Sequence, residues 1–293
     1  MALVLTGASG FVGRHLSQSL LARGIEVLSL SRGENPIPLM LRADCLVHLA
    51  ARVHIMDEKS KNKLIEFRRS NVNATVSLAR QAAAAGIKRF VFMSSVKVNG
   101  EETPLGRGFT ELDQPDPRDA YGISKWEAEV ALRQVAAETG LEVVIIRSPL
   151  VYGPGVKANF ADLMHAVIRG WPLPFGAIQN ARSLVGLDNL IDFINCCVVH
   201  PAAVNQTFFV SDGHDVSSGQ LVYELAAAAG VRSRVWAVPL WLLELAGAAL
   251  GKRNAVRRLC CSLQVDITKA QTLLGWRPPI SMQEGLKKTV SKL

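Results

Sequence analysis

The chain has 293 residues, of which 49% are hydrophobic, so it is long enough for one large α/β domain carrying a smaller lobe. Its 33 lysines and arginines outnumber its 25 aspartates and glutamates, and the resulting net charge of +8 favours an anionic partner. The 23 glycines, the 13 prolines and a mean hydropathy of +0.19 exclude collagen-like repeats and intrinsic disorder.

The cysteines and the N-terminus predict a cytoplasmic protein. The five cysteines include two adjacent pairs but no Cys-x-x-Cys spacing typical of zinc sites, so we expect no metal and a reducing compartment. The apolar run at the N-terminus reaches Gly7 after a few residues and has no basic leader, so we expect no export signal.

The first half of the chain alternates strand and helix signals. Apolar runs that end at glycine or serine alternate with residues at helical spacing. We predict strands at 2–5, 25–30, 45–49, 89–93 and 142–146, and helices at 11–23, 64–85 and 121–138. This order is typical of a doubly wound, mostly parallel Rossmann-type sheet.

Beyond Arg147 this alternation ends, which indicates a second, smaller unit. Prolines and glycines dominate 149–155 and 172–176; a helix is predicted at 160–169, a strand at 207–210 and further helices from Ser217 onward. We therefore predict a dinucleotide-binding domain of residues 1–147 plus about 184–211, and a substrate-binding lobe of about 148–183 plus 212–293.

The most hydrophobic stretch, 235–251, is interrupted by Pro239 and Glu244 and is shorter than the roughly 20 apolar residues that a membrane span needs. We expect a buried or lobe-packing helix, with peripheral membrane contact as the alternative.

A glycine-rich loop, TGASGFVG at Thr6–Gly13, follows the first strand and opens the first helix. Gly7 permits a tight turn, Gly10 lets backbone N–H groups approach a pyrophosphate, and Gly13 allows close packing of the helix. A merely structural turn is the alternative. The second strand ends at Ser31 and Arg32 without an acidic residue, which favours the 2′-phosphate of NADP, although NAD stays possible if Arg32 is only a solvated charge.

Two further signals point to proton transfer. Tyr121 and Lys125 lie one helical turn apart, and an ammonium beside a phenol lowers the pKa of the phenol. Ser95 follows the strand at 89–93, at the sheet edge where α/β proteins bind ligands. Either signal alone is common on protein surfaces, but together with the glycine loop they indicate one active site.

These motifs resemble the extended short-chain dehydrogenase/reductase family, specifically its nucleotide-sugar epimerases and reductases. The resemblance spans nearly the whole chain, and the matching segments are Thr6–Gly13, Asp44–Ala51, Asn71–Thr75, Phe92–Ser95, Tyr121–Lys125, Arg147–Gly155, Arg182 to 185 and Leu274–Trp276.

The resemblance implies a role for each matching residue. Tyr121 would be the general acid/base, Lys125 would bind the nicotinamide ribose and tune the tyrosine, and Ser95 would position the substrate oxygen. The implied cofactor-binding residues are Gly7, Ser9, Gly10, Phe11, Val12, Gly13, Ser31, Arg32, Leu49, Ala50, Ala51, Asn71, Tyr121, Lys125 and Pro149. The implied substrate-binding residues are Ser95, Lys97, Asn159, Arg182 and Arg257, with Arg182 on the diphosphate of a UDP-sugar.

The chain departs from the family pattern at one place. Only eleven residues separate Arg32 from Asp44, where relatives carry a helix, a strand and an adenine contact. The sheet is therefore expected to be one strand short. A homodimer is the assembly that the resemblance suggests, and we expect no nucleic-acid partner.

The reaction that we favour from the sequence is reduction of the C4 keto group of a UDP-4-keto-6-deoxy-N-acetylhexosamine for O-antigen or other surface polysaccharide. Segments 48–58, 94–101 and 149–160 look most like such reductases, and Arg32 suits exchangeable NADPH. A UDP-hexose 4-epimerase, acting on UDP-glucose or UDP-GlcNAc with NAD, is the main alternative. A reductase of small carbonyl compounds and a non-catalytic dinucleotide sensor are the others.

Overall fold

The computed structural model describes residues 1–53, 62–249, 251 and 253–291, and its centre is a parallel six-stranded sheet. The strand order is β2-β1-β3-β4-β5-β8. These strands are β1 Ala2–Thr6, β2 Glu26–Leu30, β3 Cys45–His48, β4 Arg89–Ser95, β5 Glu142–Ser148 and β8 Thr207–Phe209. The predicted Rossmann-type sheet is confirmed, with each predicted strand within two residues of its observed position.

Helices follow the strands in the predicted alternation. They are α1 Phe11–Ala22, α2 Ile37–Met40, α3 Lys63–Phe67, α4 Ala74–Ala84, α5 Ala120–Thr139, α6 Ala158–Ile168, α7 Leu187–Val199, α8 Ser218–Ala229, α9 Leu240–Ala249, α10 Arg253–Cys260, α11 Thr268–Leu274 and α12 Met282–Val290. The helix predicted at 64–85 consists of α3 and α4 joined by a π-helical turn, Arg68–Asn73. Sequence periodicity did not indicate this turn.

Both faces of the sheet are covered, because successive side chains on a strand point to opposite sides. On one face Leu3 and Leu5 pack with Leu16 of α1 and Leu190 of α7. On the other face Val4, Leu46 and Phe90 pack with apolar side chains of α4 and α5, namely Ala79, Ala82, Ala128 and Leu132. Packing on both faces therefore fixes the strands relative to one another, and with them the loops at the carboxyl ends of the strands.

The sheet ends at β2, as the short interval after Arg32 predicts. Between β2 and β3 the chain forms only the four-residue helix α2, and β2 pairs with β1 alone among the described strands. The structure confirms that the described part of the chain has no strand beyond β2.

A second, two-stranded sheet joins β6 Leu150–Tyr152 to β7 Leu184–Gly186. Its apolar core contains Tyr152, Phe160 and Leu184, together with residues of α8 and α12 such as Val222, Leu225 and Leu286. We retain the division into a dinucleotide-binding domain and a substrate lobe as a proposal.

Helix α9 packs on α10, as predicted for a helix of the lobe, but it is exposed and not buried. Only Gly247 of α9 is buried, while Trp241 is 64% and Leu245 62% exposed. A Cβ on Gly247 would lie 2.6 Å from a side-chain carbon of Val256, so α9 packs closely on α10 through this glycine. Apolar content predicted burial, but no large apolar surface of the described chain covers the rest of this helix.

The cysteines and the apolar helices bear on disulfide bonds, metal sites and membrane spans. All five cysteines are free thiols, and the described residues contain no cluster of His, Cys, Asp and Glu suited to a metal. None of the described helices is both long and apolar enough to cross a bilayer.

Candidate active site

The glycine loop forms a tight cradle between β1 and α1. Gly7 has φ +74°, and a Cβ there would lie 2.8 Å from the backbone nitrogen of Ala50. A Cβ on Gly13 would lie 2.1 Å from the Gly7 carbonyl oxygen, so both positions need glycine. No side chain caps the start of α1, while Ser9 and Gly10 are exposed. The uncapped N–H groups and the open cradle fit the pyrophosphate of a dinucleotide.

A buried chain of hydrogen bonds runs beneath this loop through His48. The Ala50 N–H donates to Thr6 Oγ1 at 3.2 Å, and Thr6 Oγ1 lies 2.7 Å from His48 Nδ1. His48 Nε2 lies 3.0 Å from Thr75 Oγ1, which donates to the Asn71 carbonyl at 2.8 Å. Since Thr75 uses its proton on this carbonyl, His48 Nε2 is assigned as the donor to Thr75 Oγ1. Burial, which lowers the pKa of His48 to about 3, keeps the ring neutral. The chain links the ends of β1 and β3 to the π-helical turn.

We expect this neutral histidine to make the protein sensitive to acid. Burial, helped by the charge of Lys125, lowers the pKa of His48 from 6.5 to about 3. The unfolded state then binds more protons, so the stabilisation is complete above pH 6.5 and is lost as the pH falls toward 3. Below pH 6.5 the contribution falls by about 1.4 kcal/mol per pH unit.

Urea unfolding between pH 7.5 and 5 measures this effect. The variant His48→Asn should be less stable at pH 7.5 but have a flatter pH dependence than the wild type. His165→Asn, at an exposed position of α6, is the matched control and should follow the wild-type slope. Equal slopes in all three proteins would contradict the prediction.

Asn71 lies in the π-helical turn and joins two elements of the site. Its Oδ1 accepts from the Arg52 N–H at 2.8 Å, and its Nδ2 donates to the Arg52 carbonyl at 3.0 Å. The same amide donates to Ser124 Oγ of α5 at 3.1 Å. Asn71 thus fixes the backbone after β3 against the helix that carries Tyr121. Single π turns are common at functional sites because they redirect side chains.

Ser95 lies at the end of β4, and Tyr121 lies in the first turn of α5. Ser95 Oγ accepts from the Lys97 N–H at 3.3 Å and caps a short 3₁₀ turn, 96–98. A Cβ on Gly122 would lie 2.7 Å from the Lys97 carbonyl, so glycine lets α5 approach this turn closely. Asp119 caps α5 by accepting from the Gly122 N–H at 2.6 Å, and its other oxygen pairs with Lys97. The packing thus places the turn that follows Ser95 against the first turn of α5, which carries Tyr121.

Lys125 lies beneath the tyrosine and is fully enclosed. Its Nζ donates to the Met93 carbonyl at 2.8 Å, lies 4.4 Å from the centre of the Phe92 ring and 5.9 Å from that of Tyr121. Burial lowers the pKa of Lys125 to about 7, against the opposing effect of Glu129.

The pKa of Tyr121 differs from the sequence-based prediction. Burial, together with the charge of Asp119, raises the pKa of the phenol to about 12, whereas the Tyr/Lys spacing predicted a lowered value. The reason is that desolvation penalises the phenolate and also weakens the charge of the lysine that was to stabilise it. With a pKa of about 12 the phenol is protonated at neutral pH.

A buried ion pair supports the end of β4 from behind. Both carboxylate oxygens of Glu129 on α5 accept from Arg147 on β5, at 3.0 and 2.6 Å, and Ser94 Oγ donates to Glu129 at 2.6 Å. Arg147 Nη1 also donates to Asn99 Oδ1 at 2.9 Å. The network holds β4, β5 and α5 in one register around Ser95 and Tyr121.

The end of β2 carries charges of both signs. Ser31 and Arg32 are exposed there, as predicted, but the carboxylate of Glu34 returns to accept from the Ser31 N–H at 2.9 Å. The segment 28–32 itself has no acid, as predicted, but the turn after Arg32 places the carboxylate of Glu34 at the same strand end.

Two of the predicted substrate residues, Lys97 and Arg257, line a cleft next to the start of α5. Two cavities of about 480 and about 250 Å³ share Glu101, Glu102 and Arg257, and Lys97 and Asp119 line the second. Arg257 pairs with Glu102 at 2.7 Å. Arg182 donates through Nη1 to the carbonyls of Arg258 at 2.7 Å and Cys261 at 3.1 Å, so part of its guanidinium is engaged by the end of α10.

The remaining predicted residues differ in their exposure. Asn159 is exposed at the start of α6, and Pro149 is buried after β5. Leu49, Ala50 and Ala51 follow β3 beside the glycine loop and are half-buried.

Comparison with known proteins gives this arrangement a family. The sequence model described as the NAD dependent epimerase/dehydratase family matches residues 3–210. The chain belongs to this family. It is therefore an NAD(P)-dependent enzyme, and its Rossmann-type sheet and Tyr121-Gly-Ile-Ser-Lys125 segment agree with this membership.

Three relatives cover nearly the whole chain. The UDP-glucose 4-epimerase of Vibrio cholerae is 46% identical over 98% of this chain and 94% of its own length. The N-acetyl-α-D-glucosaminyl-diphospho-ditrans,octacis-undecaprenol 4-epimerase of Escherichia coli O157:H7 is 27% identical over 98% of this chain and 94% of its own length. The structure of UDP-glucose 4-epimerase from Thermotoga maritima with UDP-glucose superposes with a TM-score of 0.79 at 25% identity, covering 100% of this chain and 98% of the other.

Several residues that shape this family member's site were missed from the sequence. His48 and Thr75 lay inside segments that carried the resemblance, yet no role was assigned to them. Glu129 was not singled out, although its spacing of four residues from Lys125 places both on one face of α5. An acid one turn beyond the lysine is the signal that could have found it.

Proposed function

We propose that the protein is a UDP-sugar 4-epimerase that keeps NAD bound through the reaction. The observation that carries the choice of an epimerase is the 46% identity, over 98% of the chain, to a UDP-glucose 4-epimerase. The reductase favoured from the sequence becomes the second candidate, because its local segment matches are shorter than this full-length similarity.

The chain's own residues supply proton transfer and orientation. The glycine loop Thr6–Gly13 would hold NAD, which would supply hydride exchange with the sugar carbon C4. Tyr121 first loses its phenol proton to solvent. As the phenolate it takes the proton from the C4 hydroxyl, and as the phenol it gives this proton back, while Ser95 Oγ holds the same oxygen. Lys125, buried beside the phenol, supplies the positive charge that stabilises the deprotonated tyrosine.

Glu34 supports NAD rather than NADP. A carboxylate at the end of the second strand accepts from ribose hydroxyls and repels a 2′-phosphate. The Ser31 N–H donates to Glu34 Oε2 and so holds this carboxylate at the carboxyl end of β2, where the ribose would bind. Arg32 favours the opposite cofactor, so the two side chains can be tested against each other.

The substrate diphosphate would lie in the cleft between the sheet edge and α10. Arg182 has donors beyond the Nη1 group that contacts the α10 carbonyls, and Arg257 lines both cavities. Lys97 lines the cavity closest to Ser95 and would contact the sugar or its phosphates. Asn159, exposed at the start of α6, would contact the nucleotide.

The test is direct assay of the purified protein together with identification of its bound nucleotide. We expect interconversion of UDP-glucose with UDP-galactose, or of UDP-GlcNAc with UDP-GalNAc, without added cofactor. Acid-denatured protein should release NAD. Glu34→Ala should lower NAD retention, while Arg32→Ala, two residues away, should leave it unchanged.

Two other outcomes would replace this proposal. Stoichiometric oxidation of added NADPH by a UDP-4-keto-6-deoxy-N-acetylhexosamine, without epimerisation, would identify the protein as a C4 reductase. Arg32, which suits the 2′-phosphate of NADPH, favours this second candidate. Epimerisation confined to a sugar diphosphate carried on undecaprenol, as in the name of the Escherichia coli relative, would install a lipid-linked substrate. We include this substrate in the assay because the exposed apolar helix α9 could contact its lipid chain.

A further inference from the structure

Around α9 the smaller lobe presents an apolar face that the rest of the described chain does not cover. Exposed fractions are 64% for Trp241, 62% for Leu245 and 45% for Leu240. On the preceding segment Trp236 is 63% exposed, and Trp171 is 57% exposed. We call Trp171, Trp236, Leu240, Trp241 and Leu245 the apolar face.

The structure holds these residues on connected elements. Leu173 pairs with Val235 in a β-bridge, and the Trp236 N–H donates to the Leu173 carbonyl at 2.9 Å, so the segments carrying Trp171 and Trp236 lie side by side. Pro239 begins the turn into α9, whose Leu242 N–H donates to the Pro239 carbonyl at 3.0 Å. Three of the five tryptophans of the chain therefore belong to one exposed surface. Tryptophan is the side chain most typical of membrane interfaces, because its ring is apolar and its N–H is polar.

Positive charge surrounds the apolar face. Residues 231–260 contain six arginines and lysines but only one acid, Glu244, which gives this stretch a net charge of +5 out of +8 for the whole chain. Arg169, Arg232, Arg234 and Arg253 are exposed, and none is ion-paired with an acidic side chain in the described part of the chain. Arg169, Arg232, Arg234 and Arg253 thus place positive charge on the segments that carry or adjoin the exposed tryptophans.

We propose that the apolar face docks the enzyme on an anionic lipid surface. Helix α9 would lie in the plane of the interface, with its tryptophans and leucines among the headgroups and acyl chains and the flanking arginines on lipid phosphates. With ten residues, α9 is too short to span a bilayer. The docking is peripheral and reversible, and it is independent of which sugar the enzyme uses.

The charge pattern favours lipid over a second copy of this chain. In a two-fold dimer through the apolar face each positive rim would meet its own copy, because such interfaces pair identical surfaces. Like charges facing each other across an interface are unfavourable. An anionic membrane instead complements both the apolar centre and the cationic rim.

Flotation of the full-length protein with vesicles tests the proposal without any nucleotide sugar, so its failure is separate from that of the proposed epimerase activity. With vesicles of phosphatidylglycerol and phosphatidylcholine we expect the protein to float and its tryptophan emission to shift to shorter wavelength. With phosphatidylcholine alone, or at high salt, binding should fall at least tenfold. Phosphatidylcholine has no net negative charge to attract the arginines, and salt screens the attraction to phosphatidylglycerol.

Matched variants locate the surface. Trp236→Ser combined with Trp241→Ser should lower the vesicle partition coefficient at least tenfold while circular dichroism stays native, because both side chains are exposed. Leu21→Ser combined with Leu41→Ser, at positions 61% and 68% exposed on the dinucleotide-binding side, is the control and should bind like the wild type. Absence of flotation, or equal binding by both double variants, would overturn the proposal. So would a dimer that dissociates in the tryptophan variant without any vesicle binding, since the face would then be a self-association surface.

Discussion

Replacing Tyr121 by phenylalanine should lower kcat of the proposed epimerisation by about 10²–10⁴-fold, because the phenol is the group placed to exchange a proton with the sugar oxygen. The aromatic ring would keep its edge contact with Phe67, whose ring centre lies 6.1 Å away. We therefore expect normal folding and normal NAD retention. Initial rates of UDP-sugar interconversion and the nucleotide released on denaturation measure the two quantities.

The chain supplies its own control for this substitution. Tyr223 lies on α8, is 51% exposed and has no place in the proposed chemistry. Tyr223→Phe should keep the wild-type kcat. Retention of more than a tenth of the activity by Tyr121→Phe would remove the tyrosine from its assigned role, whereas loss of bound NAD would show that the side chain acts in binding.

Replacing Glu129 by alanine should destabilise the fold by about 3–5 kcal/mol, because it leaves Arg147 buried without its counter-charge. Glu129 and Arg147 are almost inaccessible, with side-chain exposures of 0% and 3%. Ser94 loses its hydrogen-bond acceptor in the same change. The midpoint and slope of urea unfolding measure the loss, and the epimerase rate should fall as well since β4 and α5 both hold reacting residues.

Glu127, two residues earlier on α5, provides the comparison. It forms a two-pronged ion pair with Arg68, but the two side chains are 30% and 48% exposed. Glu127→Ala should cost at most about 1 kcal/mol, as is typical of ion pairs in contact with water. Equal destabilisation by the two substitutions would show that the buried network contributes no more than a surface pair.

The sequence predicted those features that depend on local chemistry. The glycine loop was readable because only glycine tolerates the turn at Gly7 and the contact at Gly13. The Tyr121/Lys125 pair was readable because helical spacing alone places both on one side of α5. The missing strand beyond β2 followed from counting residues between Arg32 and Asp44.

The features that were missed depend on distant parts of the chain. Burial of Tyr121 and Lys125, which reverses the expected direction of the tyrosine pKa, is set by surrounding elements that spacing does not describe. Glu129 and Arg147 are 18 residues apart in sequence and meet only because α5 packs on β5. Exposure of α9 was missed because hydropathy reports how apolar a segment is and not whether a partner surface exists.

The π-helical turn at Arg68–Asn73 lets the two halves of one long helix face different neighbours. Phe67 before the turn contacts Tyr121, and Thr75 after it contacts His48 below the glycine loop. Deleting one residue within the turn would restore a regular helix but rotate one half by about 100° relative to the other. Only one of the two contacts would then survive. The extra residue in the turn therefore lets each half of the helix present its own face to its own neighbour. A substitution that changes the contact of Phe67 with Tyr121 need not change the contact of Thr75 with His48.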